Sequence, residues 1–191
     1  MYSAAFIQGF FTSKGAFPNR RAHLLRGEQP RTLTSSTPQT NRPESKRGHW
    51  LFSVDPHNYH WDTLFVKGKE MWRGAGGRQD ALRQLKQVRR GDRVLCYHAA
   101  PERSLYALAE VTRDPYPDPH DPENKSLVAD LRALERLPRQ VTLADLRANP
   151  ALRKVKFLKN VRLIISPVSE EEYQEILRMA GIVASPGLPL P

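Results

Sequence analysis

The sequence predicts an α+β fold, a small mixed β-barrel of five to six strands with short flanking helices. Two observations indicate it. Short apolar runs that alternate with a period of two, typical of strands, are separated by turn residues. Between some of them stand short stretches with apolar residues at helical spacing. An up-and-down sheet of about 135 residues closes on itself, and its loops then build one mouth.

The first clear pair of strands lies in residues 90–111. Arg90, Gly91 and Asp92 have turn chemistry, and residues 94–99 alternate as in a strand with one face in a core. Residues 100–103 interrupt this run and residues 105–111 resume it. The pattern predicts a hairpin with a loop of four or five residues.

The elements before this hairpin are shorter. Residues 49–54 form a strand that must end, or lie at an edge, at Pro56. Residues 57–72 contain aromatic side chains without a clear period, and residues 74–77 form a flexible turn. Residues 79–88 form a helix, because Leu82, Leu85 and Val88 share one face.

After the hairpin the pattern alternates between strands and helices. Residues 114–122 form a proline-rich loop and residues 126–137 a strand. Thr142 and Asp145 begin a helix over residues 143–148, which Asn149 and Pro150 end. Residues 160–166 form the last strand, and a capping box begins the final helix, which stops at Gly181.

The chain is divided into three parts by composition. Residues 1–47 are rich in Ser, Thr, Pro and Arg and lack a period, which predicts a disordered basic extension. A translation start placed too far upstream and a transit peptide are two further interpretations of this segment. Residues 48–183 form the folded domain, and residues 184–191 a proline-rich tail.

Charge and composition restrict the function classes. The net charge of +10 favours a polyanionic partner, but eight basic and only two acidic residues fall within residues 1–47, so most of the excess lies outside the domain. No apolar run approaches the roughly 18 residues of a membrane span, which predicts a cytoplasmic protein without a membrane partner. Oligomeric state is left open.

Catalytic and metal-binding patterns are weak. The single cysteine, Cys96, lies inside a strand and is interpreted as a small buried hydrophobe. His57 and His60 have no further ligand at a supporting spacing. Asp118, His120 and Asp121 stand in a stiff proline-rich loop without a nucleophile. We therefore expect a non-enzymatic protein without a metal or another cofactor.

A chain of small motifs resembles one family. His49-Trp50-Leu51, Asp55-Pro56, Trp72-x-Gly74, Gly91-Asp92-x-Val94-Leu95-x-Tyr97-His98, Tyr116-Pro117-Asp118 and Arg162-Leu163-x-Ile165-x-Pro167-Val168-Ser169 follow in the order of the EVE domain. This domain is a small PUA-like barrel related to the YTH readers of methyladenosine. The resemblance covers about residues 48 to 183 and implies a pocket for a nucleobase, in particular a modified base of DNA or RNA.

The motifs depart from the family pattern at three places. Ser53-Val54-Asp55-Pro56 stands where the family shows Lys-Ser-Glu-Pro, and residues 72–77 stand where it shows Trp-x-Gly-Val-Arg-Asn. Tyr97-His98-Ala99 replaces Tyr-His-Ser. Polar groups that could address a base edge are thus missing or moved, so the identity of the base does not carry over.

The residues themselves supply the parts of such a pocket. Aromatic faces stack on bases, glycines permit close approach, and polar side chains address base edges. The residues predicted to bind the base are Trp50, Ser53, Trp72, Gly74, Ala75, Gly76, Gly77, Tyr97, His98, Tyr116 and Pro117, and those predicted to bind phosphate are Arg73, Arg78, Arg83 and Lys86. The tryptophans could equally be plugs of a small barrel, and the arginines a solvated helix face.

Three functions are consistent with these features. The first is a reader of one nucleobase in DNA or RNA, with basic residues on the flanking phosphates. The second is a protein-interaction or small-ligand module without nucleic acid. The third is a hydrolase or deaminase of a modified base, for which no residue that activates water is evident.

Overall fold

The computed structural model describes residues 47–182, so the predictions for residues 1–46 and 183–191 lie outside it. The strands are β1 (His49–Val54), β2 (Lys69–Trp72), β3 (Arg93–His98), β4 (Ser104–Pro117), β5 (Leu127–Thr142) and β6 (Ile165–Val168). The helices are α1 (Asp62–Lys67), α2 (Gln79–Leu85), α3 (Leu143–Ala148), α4 (Lys156–Lys159) and α5 (Glu170–Met179), with a 3-10 turn at Pro150–Leu152.

The six strands form one mixed sheet in the order β2-β5-β4-β3-β1-β6. β1 runs parallel to β3, and every other neighbouring pair is antiparallel. The predicted α+β class and strand number are confirmed. The predicted up-and-down closure is not, because the hydrogen-bonded ladder of the described residues begins at β2 and ends at β6 without joining them.

Both faces of the central strands are covered. Trp50, Phe52 and Trp72 belong to one buried group, the Trp72 cluster, while Leu51 and Tyr97 belong to a second, the Tyr97 cluster. Successive side chains of a strand point to opposite faces, so each cluster packs on its own side of the sheet. The prediction that the first hairpin strand has only one face in a core is wrong, since every residue of β3 is buried.

The hairpin itself is confirmed. β3 pairs with β4 across residues 99–103, a five-residue loop of the predicted length. β4 continues further than predicted, through Pro115 and Pro117, which the sequence assigned to a loop. Residues beyond Val111 pair with β5 alone, so this part of β4 is an edge where proline is tolerated.

Other boundaries also differ from the prediction. The aperiodic residues 57–72 contain α1 and β2, and α2 ends at Leu85 rather than at residue 88. β5 runs to Thr142, and the last strand starts only at Ile165. Residues 161–164, predicted to be part of that strand, instead approach the end of β1, where the Ser53 N–H donates to the Ile164 carbonyl at 2.8 Å.

Two predicted helix starts are confirmed. The Thr142 hydroxyl accepts from the Asp145 N–H while the Asp145 carboxylate accepts from the Thr142 N–H, and Ser169 and Glu172 repeat this arrangement at α5. These caps fix α3 at the end of β5 and α5 against the Tyr97 cluster. In the part of the chain that the structure describes, every helix is too short or too polar to span a bilayer.

Candidate functional site

A cavity of about 990 Å³ opens where β1 and β3 both end. Because these strands run parallel, their carboxyl ends meet at one edge of the sheet. Residues 161–164 form another wall. The lining residues are Ser53, Val54, Asp55, Asn58, Tyr59, Glu70, Met71, Trp72, Arg73, Gly74, Arg78, Tyr97, Ala99, Ala100, Arg103, Leu143, Arg147, Val161, Arg162, Leu163 and Ile164.

Trp72 is the largest aromatic side chain in the lining. It is only 3% exposed, and its ring lies 4.5 Å from the ring of Phe52, centroid to centroid. Its buried indole Nε1–H has no hydrogen-bond partner among residues 47–182. Buried donors are nearly always bonded, so this N–H is an exception, and it belongs to a side chain that lines the cavity.

The other two tryptophans of the chain use their indole N–H groups. Trp50 Nε1 donates to the buried Asp92 carboxylate at 2.8 Å, and Trp61 Nε1 donates to the Tyr97 carbonyl at 3.1 Å. Both side chains are packed in the core. The contrast separates two tryptophans that stabilise the fold from Trp72, whose polar edge is unsatisfied.

A carboxylate lines the cavity near Trp72. Glu70 accepts a hydrogen bond from the Tyr59 hydroxyl at 2.8 Å and forms an ion pair with Lys67. Burial, together with this bond to Glu70, raises the pKa of Tyr59, so the phenol keeps its proton at neutral pH. This side of the cavity therefore combines aromatic surface with one compensated negative charge.

Five arginines line the cavity. Arg73 Nε donates to the buried carboxylate of Asp118 at 2.7 Å, and Arg78 Nη2 lies 2.8 Å from Asp80. Arg103, Arg147 and Arg162 form no ion pair within the described residues. Three of the five guanidinium groups are thus available to an anion without breaking an existing pair.

Comparison with known families identifies the domain that carries this cavity. The model of the family described as the EVE domain matches residues 48–179. The chain belongs to the EVE domain family. This confirms the resemblance that the ordered motifs indicated, and it covers nearly all residues that the structure describes. No match was found among curated proteins.

Several solved structures resemble this EVE domain. Rpa0253 of Rhodopseudomonas palustris is 32% identical, with a TM-score of 0.67 over 74% of this chain and 98% of that one. Atu2648 of Agrobacterium tumefaciens is 31% identical, with a TM-score of 0.65 over 74% of this chain and 99% of that one. Human THYN1, solved in complex with DNA containing 5-methylcytosine, shares the fold at 19% identity, with a TM-score of 0.59 over 70% of this chain and 97% of that one.

The cavity of the EVE domain contains some of the residues predicted from sequence. Ser53, Trp72, Gly74 and Tyr97 line it, as do the predicted phosphate ligands Arg73 and Arg78. The remaining predicted residues lie outside the lining: Trp50, Ala75, Gly76, Gly77, His98, Tyr116, Pro117, Arg83 and Lys86. A role for these nine in binding stays a sequence-based prediction.

Structural contacts account for several residues outside the lining. Trp50 is bonded to Asp92 in the core, as described above. Tyr116 donates to Asp130 Oδ1 at 2.8 Å and lies under the guanidinium of Arg113, 4.0 Å from its ring centroid. Ala75 is fully buried in the Trp72 cluster. These side chains support β4, β5 and the turn before α2.

His98 supports the loop between β3 and β4. Its Nε2 accepts from the Trp61 backbone N–H at 3.1 Å, so Nδ1 carries the proton and donates to Glu102 Oε2 at 2.5 Å. Burial lowers the pKa of His98, which keeps the ring neutral. The sequence placed this side chain in a pocket, whereas the structure bonds both of its nitrogens.

Three side chains around His98 have the composition of a metal site. Ligand atoms of His60, His98 and Glu102 lie within 4.8 Å of one another. A metal on His98 Nδ1 would displace the proton shared with Glu102 while Nε2 still accepts from Trp61, which would leave the ring an anion. The hydrogen bonds therefore fit a structural cluster and do not fit a metal centre.

Sequence reasoning missed seven polar residues of the cavity lining, namely Asp55, Asn58, Tyr59, Glu70, Arg103, Arg147 and Arg162. Tyr59 and Glu70 fall in the aperiodic residues 57–72, where no pattern indicates which side chains point inward. Arg103 and Arg147 lie in a hairpin loop and on a short helix that are far apart in sequence. One signal could have found Arg103, namely its position at the end of a turn-forming loop that leads into a strand.

Proposed function

We propose that this EVE domain binds DNA or RNA by accepting one nucleobase, in particular a modified base, in the cavity beside Trp72. The observation that carries the proposal is the unpaired Trp72 Nε1–H. An unpaired buried donor costs about 1 to 3 kcal/mol. Base edges offer ring-nitrogen and carbonyl acceptors, so a bound base that reaches this N–H would supply the partner that the described residues lack.

The size and lining of the cavity support a base as ligand. About 990 Å³ lies within the range of sites for small molecules and exceeds the volume of one base. Tyr59, Trp72 and Tyr97 are the aromatic residues of the lining, and stacking on a partly exposed ring such as that of Tyr59 contributes about 1 to 3 kcal/mol per base. The Ser53 hydroxyl, which makes no hydrogen bond within residues 47–182, is a second group for a base edge.

The comparisons support nucleic acid as the partner class. Human THYN1, which shares the fold, binds DNA containing 5-methylcytosine in its solved structure. The unpaired arginines at the cavity provide the positive charge that a phosphate backbone requires. DNA and RNA both fit these features.

The lining favours binding over catalysis. Its two carboxylates are both engaged, since Glu70 accepts from Tyr59 and Asp55 accepts from the His57 N–H at 2.9 Å and from the Asn58 side chain. These bonds hold both carboxylates in place, which favours a binding role for the lining. A reader that releases its base unchanged needs only the groups present.

The direct test is a titration of fluorescently labelled oligonucleotides at two salt concentrations. Short single and double strands of DNA and RNA would carry cytosine, 5-methylcytosine, 5-hydroxymethylcytosine, adenine or N6-methyladenine at the central position. Affinity that depends on the base and persists at high salt is the expected result. Trp72→Phe, which keeps an aromatic ring but removes the N–H, should reduce the preference for the best base about tenfold.

Trp61→Phe is the matched control, because it removes an indole N–H that is already bonded, at a residue outside the cavity lining. It should keep the base preference, provided that thermal unfolding shows a folded protein. Equal affinity for every base, lost at high salt, would contradict the base-binding proposal and leave only a basic surface. Absence of binding to every oligonucleotide would favour the interaction or small-ligand module.

A further inference from the structure

Two of the arginines that form no ion pair within the described residues line the cavity from segments that are hydrogen-bonded to each other. The Arg103 carbonyl accepts from the Leu143 N–H at 2.8 Å, which ties the hairpin loop to the first residue of α3. Arg147 follows Leu143 by four residues on the same helix, and residues with that spacing share a helix face. Leu143, Arg103 and Arg147 all line the cavity.

Tyr97 is a third residue of the lining, and the charges of both arginines act on its hydroxyl. Burial raises the pKa of Tyr97 to about 12, and the positive charges of Arg103 and Arg147 oppose this rise. Tyr97 also lines the cavity, and its ring packs against Phe157 at 4.7 Å between centroids. A neutral hydroxyl and two cations thus belong to residues of one cavity lining. Tyr97 packs on one face of the sheet, whereas Trp72 packs on the opposite face.

The backbone of Arg103 is unusual for an arginine. Its φ of 49° lies in the left-handed region, which Gly and Asn adopt more easily than a long side chain does. Backbone hydrogen bonds hold it there, since its N–H donates to the Ala99 carbonyl at 2.9 Å and its carbonyl is bonded to Leu143. Residues kept in such conformations are concentrated at ligand sites.

No described carboxylate neutralises this pair. Glu102, the neighbour of Arg103, is bonded to His98, and Asp145 on α3 is engaged with Thr142 in the helix cap. A planar guanidinium can donate to two oxygens of one phosphate group. A second guanidinium and a hydroxyl can donate to the remaining oxygen positions of the same group. The chemistry that fits is a tetrahedral oxyanion rather than another uncharged base.

We propose that Arg103, Arg147 and the Tyr97 hydroxyl form a phosphate-binding subsite that holds the phosphate group of the nucleotide whose base lies beside Trp72. This subsite rests on the proposed function for the location of the base. It differs from the phosphate ligands expected from sequence, since Arg73 and Arg78 are already paired with Asp118 and Asp80. The phosphate can come from a terminal monoester or from a diester of the strand.

The experiment separates these two sources. One arm compares a nucleoside with its 5′- and 3′-monophosphates by calorimetry. The other compares oligonucleotides in which each phosphate flanking the central base is replaced in turn by an uncharged methylphosphonate. Both arms use the full chain and the variants Arg103→Asn, which tolerates the left-handed backbone, and Arg147→Gln, which keeps the helix.

Arg153→Gln is the matched control, because Arg153 is exposed, lacks an ion pair within the described residues and does not line the cavity. In the wild type, one phosphate should improve affinity about tenfold or more, and this gain should be lost in both cavity variants but kept in Arg153→Gln. A gain for the monophosphate identifies a terminal phosphate, and a loss for one methylphosphonate identifies a strand phosphate.

The outcomes also separate this proposal from the proposed function. If no phosphate couples to Arg103 or Arg147 in either arm, the subsite is overturned, although base-dependent binding can persist. If the phosphate coupling is present but affinity is the same for every base, the subsite stands and the base-binding proposal fails. An adventitious effect of charge alone would appear equally in Arg153→Gln.

Discussion

The indole ring of Trp72 leaves no room for a side chain at Gly74. A β-carbon built on Gly74 would lie 2.2 Å from Trp72 Cζ2 and 2.5 Å from Cε2, far inside van der Waals contact. The absence of a side chain at position 74 therefore permits the position of the ring at the cavity wall. The Trp-x-Gly motif recognised in the sequence has a steric explanation in this contact.

Gly74→Ala should displace the Trp72 ring and weaken discrimination between bases. The steric conflict should also lower the free energy of unfolding by about 1 to 3 kcal/mol, as overpacking does. Oligonucleotide titration and urea unfolding measure the two effects. At Gly77 a β-carbon meets no atom within 4 Å and the backbone is not left-handed, so Gly77→Ala should behave like the wild type. Equal behaviour of the two variants would show that the Trp72 position does not matter.

Asp92→Ala should destabilise the fold by about 3 kcal/mol or more. The buried carboxylate accepts from Trp50 Nε1, from the Gly48 N–H and from the Arg89 N–H, each at 2.8 Å. Removing it leaves several donors unsatisfied. Asp114→Ala, which loses one exposed bond from the Arg90 N–H, should cost about 1 kcal/mol or less. Urea unfolding compares them, and similar losses would disprove the importance of the Asp92 network.

Stability should fall as the pH drops below neutrality. Burial lowers the pKa of His98 below its ordinary 6.5, so the unfolded chain takes up a proton near pH 6.5 that the folded protein does not. The loss begins as the pH falls through about 6.5 and continues to the lower pKa of the folded state. Between pH 7.5 and 5.5 one such histidine contributes at most about 1.4 kcal/mol.

His98→Gln should reduce this pH dependence, because it removes the ring that takes up the proton. The amide oxygen of Gln can still accept from the Trp61 N–H, so the loop should keep this hydrogen bond. It should not abolish the dependence, since burial lowers the pKa of His49 too. His57→Gln, at an exposed position, is the control. Urea unfolding at a series of pH values measures the slope. A slope in His98→Gln identical to that of the wild type would refute the assignment.

Arg83 on α2 and Lys86 directly after this helix test the phosphate ligands predicted from sequence. Both are exposed and lie outside the cavity lining. If each side chain contacts one phosphate of a single strand, replacing both with alanine should make the plot of log affinity against log salt less steep. The magnitude of its negative slope should fall by about 1.4. Affinity should fall equally for every base. Arg139→Ala, at an exposed position near the end of β5, is the control and should leave the slope unchanged. If the double variant also leaves the slope unchanged, α2 is not part of the interface.

Local signals were sufficient for much of the fold. Pro56 ends β1 as expected, and the pairs Thr142–Asp145 and Ser169–Glu172 cap their helices because both residues of each signal lie within one turn. Pro115 and Pro117 misled the prediction because proline excludes a central strand. The end of β4 that carries them is bonded on one side only, which no local pattern reveals.

The site depended on pairings between distant parts of the chain. The parallel register of β1 with β3, which places Ser53 opposite Tyr97, brings two strand ends to one cavity. Trp50 and Trp72 look alike in sequence, and only the position of Asp92 assigns the first to the core. Arg103 and Arg147 are joined through one backbone hydrogen bond to Leu143, for which the sequence has no local signature.

The unpaired indole of Trp72 gives the protein a built-in spectroscopic reporter. The chain has three tryptophans, and two of their N–H protons are held in hydrogen bonds within the core. In a nitrogen-15 NMR spectrum, those two side-chain resonances should keep their positions when a ligand is added and exchange slowly with deuterated water. The third should move on occupancy of the cavity, so a single peak can screen ligands of any chemical class without a label on the ligand.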